Sequence, residues 1–332
     1  MKFNGELLKK LVDAFSPSGD ERIVAEIIKD EIKSYVDEII IDSLGNLIAH
    51  KKGNGKKVMV AAHMDQIGLL ITDIDEKGFL RFTNIGGISP YISYGQRVVF
   101  KNGRIGIVYA ESMDDMSKLK LENMYIDIGV NSREEAEKRI GIGDTCVYIS
   151  QYYEDENNVI SGCLDDRIGC YVLIEALKDL KNVENDIYFV FTTQEEVGLR
   201  GAKTSAYRID PDFGIAVDIT GSGDTPKAKR LAVGLNKGAA IKVKDNSIIV
   251  NPKIKDFMVE VAKENNIPYQ LEVLEYGGTD SGAINLTKEG VPTGAISIPT
   301  RYAHSGSETI SKNDVNNCIK LLTGILNKKI EF

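Results

Sequence analysis

Long apolar runs, basic blocks and paired cysteines are all missing from this sequence, and each absence closes off a class of function. No apolar stretch reaches the ~18 residues needed to span a bilayer. The first helix-like segment is broken by Glu6, Lys9, Lys10 and Asp13 and so lacks the apolar core of an export signal. Cys146, Cys163, Cys170 and Cys318 form no C-x-x-C pair and none of the spacings of structural zinc. Reduced, mostly buried thiols in a reducing cytosol are therefore expected. The 41 basic residues are outnumbered by 49 acidic ones, giving a net charge of −8. With no basic block and no interleaved basic and aromatic stretch, nucleic acid has no electrostatic footprint to bind. Internal repeats and low-complexity tracts are also absent. A cytoplasmic globular protein is the expectation, and 332 residues suffice for one large domain or two.

What is present reads as an α/β body interrupted by a β-rich insert. Leu7, Leu8, Leu11, Val12 and Phe15 mark one helical face, which stops at Ser16-Pro17-Ser18-Gly19. A second helix carries Val24, Ile27, Ile28 and Ile32, with Ser18 and Glu21 at capping-box spacing. Short strands are expected at 38–41 and 47–50, and the run Val58-Met59-Val60-Ala61-Ala62 reads as a buried central strand. From about Gly68 to about Ser161 the texture is short strands and turns with one evident helix, capped by Ser132 and Glu135 and ended by Gly141. Helix and strand then alternate: helix Asp166 to Leu180, strand Ile187 to Thr193, helix near Leu199 to Tyr207, strand Phe213 to Val217, a helix after Pro252 and strand Ala295 to Ile298. The simplest organisation is a first body segment at 1–67, an inserted β-rich domain at 68–161, and a second body segment at 162–332.

Several apolar strands end in residues that bind metals or move protons. Val58 to Ala62 ends at His63-Met64-Asp65, and Ile187 to Thr193 runs into Gln194-Glu195-Glu196. Phe213 to Val217 ends at Asp218, and Ala295 to Ile298 leads to Tyr302-Ala303-His304. In open α/β sheets ligands bind beyond the carboxyl ends of the strands, so these side chains are expected to converge there. Asp165, at the start of a helix, is a further candidate. Histidine is scarce, with only three in the chain, yet two of them, His63 and His304, fall in these motifs while His50 has no ligand pattern around it.

The imidazoles and carboxylates make a mixed nitrogen and oxygen set suited to zinc, cobalt or manganese. Two divalent ions carry +4 against −3 from Asp165, Glu196 and Asp218, and the remaining +1 can hold a hydroxide. Such a pair can acidify a bridging water and polarise a carbonyl. Asp165 is the candidate bridge. His63 and Asp65 are two apart and share one side of an extended strand, so Asp65 is expected to accept the second ring N–H of His63. Glu195 and Glu196 diverge as neighbours, and Glu195 is assigned as the general base that takes the proton of the water and passes it to the leaving amine.

His63-Met64-Asp65-Gln66-Ile67-Gly68, Leu164-Asp165-Asp166-Arg167, Glu195-Glu196-Val197-Gly198, Asp218, Gly277-Gly278-Thr279-Asp280-Ser281-Gly282 and Tyr302-Ala303-His304-Ser305 together resemble the glutamyl and deblocking aminopeptidases, a family that includes the tetrahedral aminopeptidases. The resemblance covers essentially the whole chain. It implies an α/β/α zinc-peptidase body with a mixed sheet and an inserted PDZ-like domain used in assembly. It implies two zinc or cobalt ions on His63, Asp165, Glu196, Asp218 and His304, with the aspartate bridging, and roles for Asp65 and Glu195 as orienting partner and base. It also implies a cis peptide at Asp165-Asp166, self-assembly from dimers up to a dodecamer, and peptide substrates with a free N-terminus. Gln66 departs from the glutamate usual in that family, and a changed surrounding of the site rather than lost activity is expected. Asp280, Gly278 and Arg230 are candidates for facing the substrate.

Other readings of the same residues are a carboxypeptidase or deacylase of the wider two-zinc class, a glycosidase working with two carboxylates, and a metal-stabilised assembly or binding protein without turnover. Activity on N-acylated substrates alone, chelator-insensitive release of sugar, and absence of turnover would mark these in turn.

Overall fold

The computed structural model describes residues 2–181, 183–228 and 231–331. Helix α1 (Gly5–Asp13) is capped by the Asn4 side chain and buries Leu7, Leu8, Leu11 and Val12, the face expected from the spacing. Helix α2 (Arg22–Ile32) buries Val24, Ala25, Ile28 and Ile32. Its expected capping box does not form. The Ser18 hydroxyl donates to Asp65, and Glu21 accepts the backbone N–H groups of Gly19 and Gln194. The right spacing was present, but a polar site elsewhere in the molecule takes both side chains.

The chain then gives strands β1 (Glu38–Ile41), β2 (Leu47–Lys51), β3 (Lys57–His63), β4 (Gly68–Ile74) and β5 (Leu80–Ile85), followed by the short helix α3 (Pro90–Ser93). Strands β6 (Arg97–Phe100), β7 (Ile105–Ala110) and β8 (Met124–Asp127) lead to helix α4 (Arg133–Glu137). Strands β9 (Thr145–Tyr148), β10 (Tyr153–Glu154) and β11 (Asn158–Ser161) precede helix α5 (Leu164–Asp179). The remainder runs β12 (Asp186–Thr192), α6 (Arg200–Ile209), β13 (Phe213–Gly221), β14 (Ala239–Lys244), α7 (Pro252–Glu264), β15 (Tyr269–Val273), α8 (Asp280–Asn285), β16 (Thr293–Arg301), β17 (Glu308–Ser311) and α9 (Lys312–Leu326).

Among the described residues eleven strands form one mixed sheet in the order β1-β2-β12-β3-β13-β16-β17-β11-β10, with β14 and β15 branching from β16. Its centre is parallel, because β12, β3, β13 and β16 all run the same way as neighbours. Their carboxyl ends therefore lie along one edge of the sheet, where the sequence places His63, Glu195, Glu196, Asp218 and His304. Along β3 the side chains alternate between two buried faces. Val58, Val60 and Ala62 meet the core under α1, α2, α5, α7 and α9, while Met59 and Ala61 meet α6 and α8. A strand covered on both sides is apolar throughout, hence its unbroken hydrophobic run. Helix α5 is sandwiched in the larger core, with every residue from Leu164 to Leu177 buried. Among the described residues no helix is long and apolar enough to cross a membrane.

The insert is a closed antiparallel barrel, β4-β5-β8-β7-β6-β9, with its own core around Leu69, Ile71, Val98, Phe100, Val108 and Ile126. Besides the capped helix expected from the sequence it holds α3, a single turn begun by Pro90. The expected helix stops at Glu137 rather than running to Gly141. Barrel pairing ends with β9 at Tyr148, whereas β11, which reaches the expected seam at Ser161, pairs with β17 in the large sheet. The outward face of β7 is apolar, with Ile105, Ile107 and Tyr109 about half exposed at 50%, 46% and 44%.

Candidate metal centre

His63 is the last residue of β3 and is buried. Its Nε2 lies 3.1 Å from Asp165 Oδ1 and 3.9 Å from Asp218 Oδ1. The other Asp165 oxygen, Oδ2, lies 3.1 Å from Nε2 of His304, which in turn is 3.8 Å from Glu196 Oε2. One carboxylate thus presents an oxygen to each imidazole. The local backbone is irregular on both sides of this contact. Helix α5 is non-helical at Asp165 and Asp166, the peptide between them is cis, and Tyr302 and His304 both adopt positive φ on the loop from β16 to β17.

Asp65 holds the far side together. Its Oδ1 accepts the N–H of Glu195 at 2.9 Å and its Oδ2 that of Glu196 at 3.2 Å, with the Ser18 hydroxyl at 2.6 Å. His63 Nδ1 is 3.1 Å from the Asp65 carbonyl oxygen and 3.4 Å from Oδ1, so the ring is oriented by the main chain of Asp65 as much as by its carboxylate. Glu195 Oε2 stands 4.0 Å from His63 Nε2. The oxygens of Asp166 accept the N–H groups of His63 and Gly169, one each.

Two sets of donor atoms are close enough to share a metal ion: His63, Asp165 and Glu196, and His63, Asp166 and Asp218. Electrostatics supports the fit. Burial pushes the carboxyls of Glu195 and Asp218 well up, and that of Glu196 up to about 8 with the help of Asp165. Burial opposes the protonated imidazoles, but Asp165 overrides it and holds His304 up to about 11 and His63 well above its usual range. The same two imidazoles hold Asp165 low in spite of its burial. Carboxyls crowded so closely that they hold their protons would ionise once cations are bound among them, and oxygen with imidazole nitrogen is a donor set for zinc, cobalt or manganese. These residues are consistent with a metallopeptidase centre.

The centre opens into a cavity of about 750 Å³. Beyond His63, Asp165, Glu195, Glu196, Asp218 and His304, its described lining is uncharged, with Ile92, Leu199, Ile219, Leu274, Tyr276 and Tyr302 as its larger side chains. Gly278 lines it. Asp280 is instead buried below, accepting the Thr192 hydroxyl at 2.5 Å, and burial lifts it to about 6. Arg230 lies outside the described residues. His50 is remote from the centre and pairs with Asp186 at 2.7 Å while stacking on Tyr188. Gln66 accepts from the fully buried Arg167, which also donates to the carbonyls of Leu11, Ala14 and Ser16.

The sequence did not disclose the contribution of the barrel. The loop after β5 comes so close that a Cβ on Gly86 would stand 2.8 Å from Glu196 Oε2, and one on Gly87 would stand 3.0 Å from His304 Nδ1. The Gly87 carbonyl oxygen accepts from that Nδ1 at 2.7 Å. The paired glycines were the available signal, since close backbone approach is a recognised use of glycine. Glu308 was also missed, because nothing in the polar stretch Ser305 to Ser311 sets it apart from a surface acid.

Comparison with known proteins agrees with this geometry. The model of the M42 glutamyl aminopeptidase family matches residues 45–321. An Acetivibrio thermocellus protein named provisionally as an aminopeptidase is 56% identical over 96% of both chains. The lysyl aminopeptidase of Pyrococcus furiosus is 40% identical over 97% of this chain and 96% of its own. Among solved structures, an aminopeptidase from Desulfurococcus kamchatkensis superposes with a TM-score of 0.93 at 40% identity, covering 97% of this chain and 94% of the other. A Pyrococcus horikoshii TET peptidase, described as assembling into a tetrahedron or a large octahedral shell, gives 0.86 at 36% identity over 96% and 98%. A Thermotoga maritima structure described as an endoglucanase gives 0.82 at 35% over 96% of each chain. With its fold, its buried cluster of donors and a family match spanning most of its length, this chain belongs to the M42 glutamyl aminopeptidase family and is an aminopeptidase, a hydrolase of peptide bonds.

Proposed function

We propose that the centre holds two divalent cations and removes the first residue of peptides with a free N-terminus. His63 and Asp218 would serve one ion, Glu196 and His304 the other, and Asp165 both. The observation that carries this reading is the placement of the two Asp165 oxygens, each 3.1 Å from a different imidazole Nε2. When bound, such a pair of ions supplies Lewis acidity to a carbonyl and lowers the pKa of water.

The protein's own contribution is to hold and move protons. Glu195 lines the cavity beside His63, and its N–H is fixed by Asp65, so its carboxylate is held where substrate enters. Burial raises its proton affinity, which suits a group that accepts a proton from water and then delivers it to the departing amine. Asp65 is a positioning residue, tying the tip of β3 to the Glu195-Glu196 turn. The cavity lining has no charge beyond the centre among the described residues, so the first side chain it takes is uncharged, apolar or aromatic. This differs from the glutamyl and lysyl preferences in the names of the family and of the Pyrococcus furiosus relative. The apolar face of β7 fits self-association through the barrel, and assembly is described for the Pyrococcus horikoshii TET peptidase.

The test is a panel of leucyl, phenylalanyl, glutamyl and lysyl anilides with free and acetylated amines. Metal-stripped protein would be assayed before and after addition of zinc, cobalt or manganese. Restored hydrolysis of the free-amine leucyl and phenylalanyl substrates is expected. Turnover in the stripped protein, or of acetylated substrates alone, would exclude the reading, and a preference for glutamyl or lysyl substrates would exclude the uncharged pocket.

A further inference from the structure

Glu308 opens β17 and is buried, with 2% of its surface exposed. It does not line the substrate cavity, but it lines a small recess behind the centre with Gln66, Cys163, Asp165, Glu196 and His304. Its carboxylate is split between two segments of chain. Oε2 accepts the backbone N–H of Asp165 at 3.0 Å, and Oε1 accepts that of His304 at 2.8 Å. Those two residues face each other across 3.1 Å at the centre.

Both segments need such support. Asp165 sits in the non-helical start of α5 with φ −79° and ψ 104°, where the ladder of a regular helix does not fix it. His304 has φ +58°, the left-handed region that a non-glycine residue enters only when its surroundings enforce it. A carboxylate offers a separate oxygen to each N–H, whereas an amide of the same shape and in the same position turns an NH₂ group toward one of them.

We propose that Glu308 is a positioning residue that sets the separation of Asp165 and His304, and so the affinity and geometry of the metal site they share. The proposal rests on the two-cation reading above. In Glu308→Gln one N–H loses its acceptor and meets an NH₂ group instead. Glu308→Asp keeps both oxygens but draws them back by one methylene.

The experiment titrates metal-stripped wild type, Glu308→Gln and Glu308→Asp with cobalt, following visible absorption and calorimetry, and records the melting temperature of each metal-free protein. Wild type is expected to bind two ions. Glu308→Gln is expected to bind about 10- to 100-fold more weakly, the usual effect of losing a group that orients a ligand. Its cobalt spectrum should also be altered and its kcat lowered more than its KM is changed, with Glu308→Asp intermediate. Wild-type affinity and spectrum in Glu308→Gln would overturn the proposal, even if that variant melts lower. If Glu308→Gln does not fold, Glu308→Asp decides by the same criteria. Failure of both to fold would assign Glu308 to the fold alone and also overturn it. Absence of cobalt binding by wild type would instead remove the two-cation reading itself.

Discussion

The α/β body and the inserted barrel are built on opposite strategies, and the centre shows what each is suited to. The body is a parallel sheet buried on both faces, and the acids, bases and candidate ligands come from side chains at its strand ends. The barrel is antiparallel, with a separate core and an apolar outer face on β7. What it gives to the centre is main chain, in the form of the Gly87 carbonyl oxygen and the bare approach of Gly86. Reactive side chains thus sit on the body, while the insert meets the donor groups with bare main chain and adds Ile92 to the wall of the cavity.

Substitutions can break this contrast at graded cost. The largest effect is expected from Glu195→Gln in the body, where loss of the proton carrier should lower kcat by about 10² to 10⁴ with metal content unchanged, as checked by steady-state kinetics and elemental analysis. Next comes Asp65→Asn, which turns an NH₂ group on one of the N–H donors of Glu195 and Glu196. A loss of about 10- to 100-fold in metal affinity or activity is expected, measured by competition with a chelator. On the barrel side, Gly87→Ala should push His304 aside, since its new Cβ would stand 3.0 Å from the ring. Displacements of that kind cost up to about 10²-fold in rate, and the melting temperature should change little. The smallest catalytic effect is expected from Ile107→Lys on the open face of β7, where sedimentation should report a smaller assembly. Stability there should move by no more than about 0.5 kcal/mol and kcat for a leucyl anilide should stay at the wild-type value.

The same contrast explains what could be read from the sequence. The body was legible because a strand buried on both faces must be an unbroken apolar run, and chemistry placed at the end of such a run stands out, as with Val58 to Ala62 followed by His63. The inserted β-rich unit was legible from a different signal, a change to short strands separated by turns between about Gly68 and Ser161. Contacts between distant segments were not. Ser18 and Glu21 carried the spacing of a helix cap, yet both are drawn to the site by Asp65 and by the backbone of Gln194. Nothing local reveals that Asp280 faces Thr192 rather than the cavity, or that the Gly86-Gly87 pair marks a place where two domains touch. Spacing encodes which residues share a strand or a helix face, and it does not encode which backbone lies across from them.

The hydrogen bond between Gly87 and His304 makes the insert a part of the centre. A shift of the barrel by an ångström relative to the sheet would carry the Gly87 carbonyl oxygen with it and draw on the imidazole at the mouth of the cavity. Excising or exchanging the barrel would therefore alter turnover, unless the transplanted unit carried the same bare loop at the same height above His304.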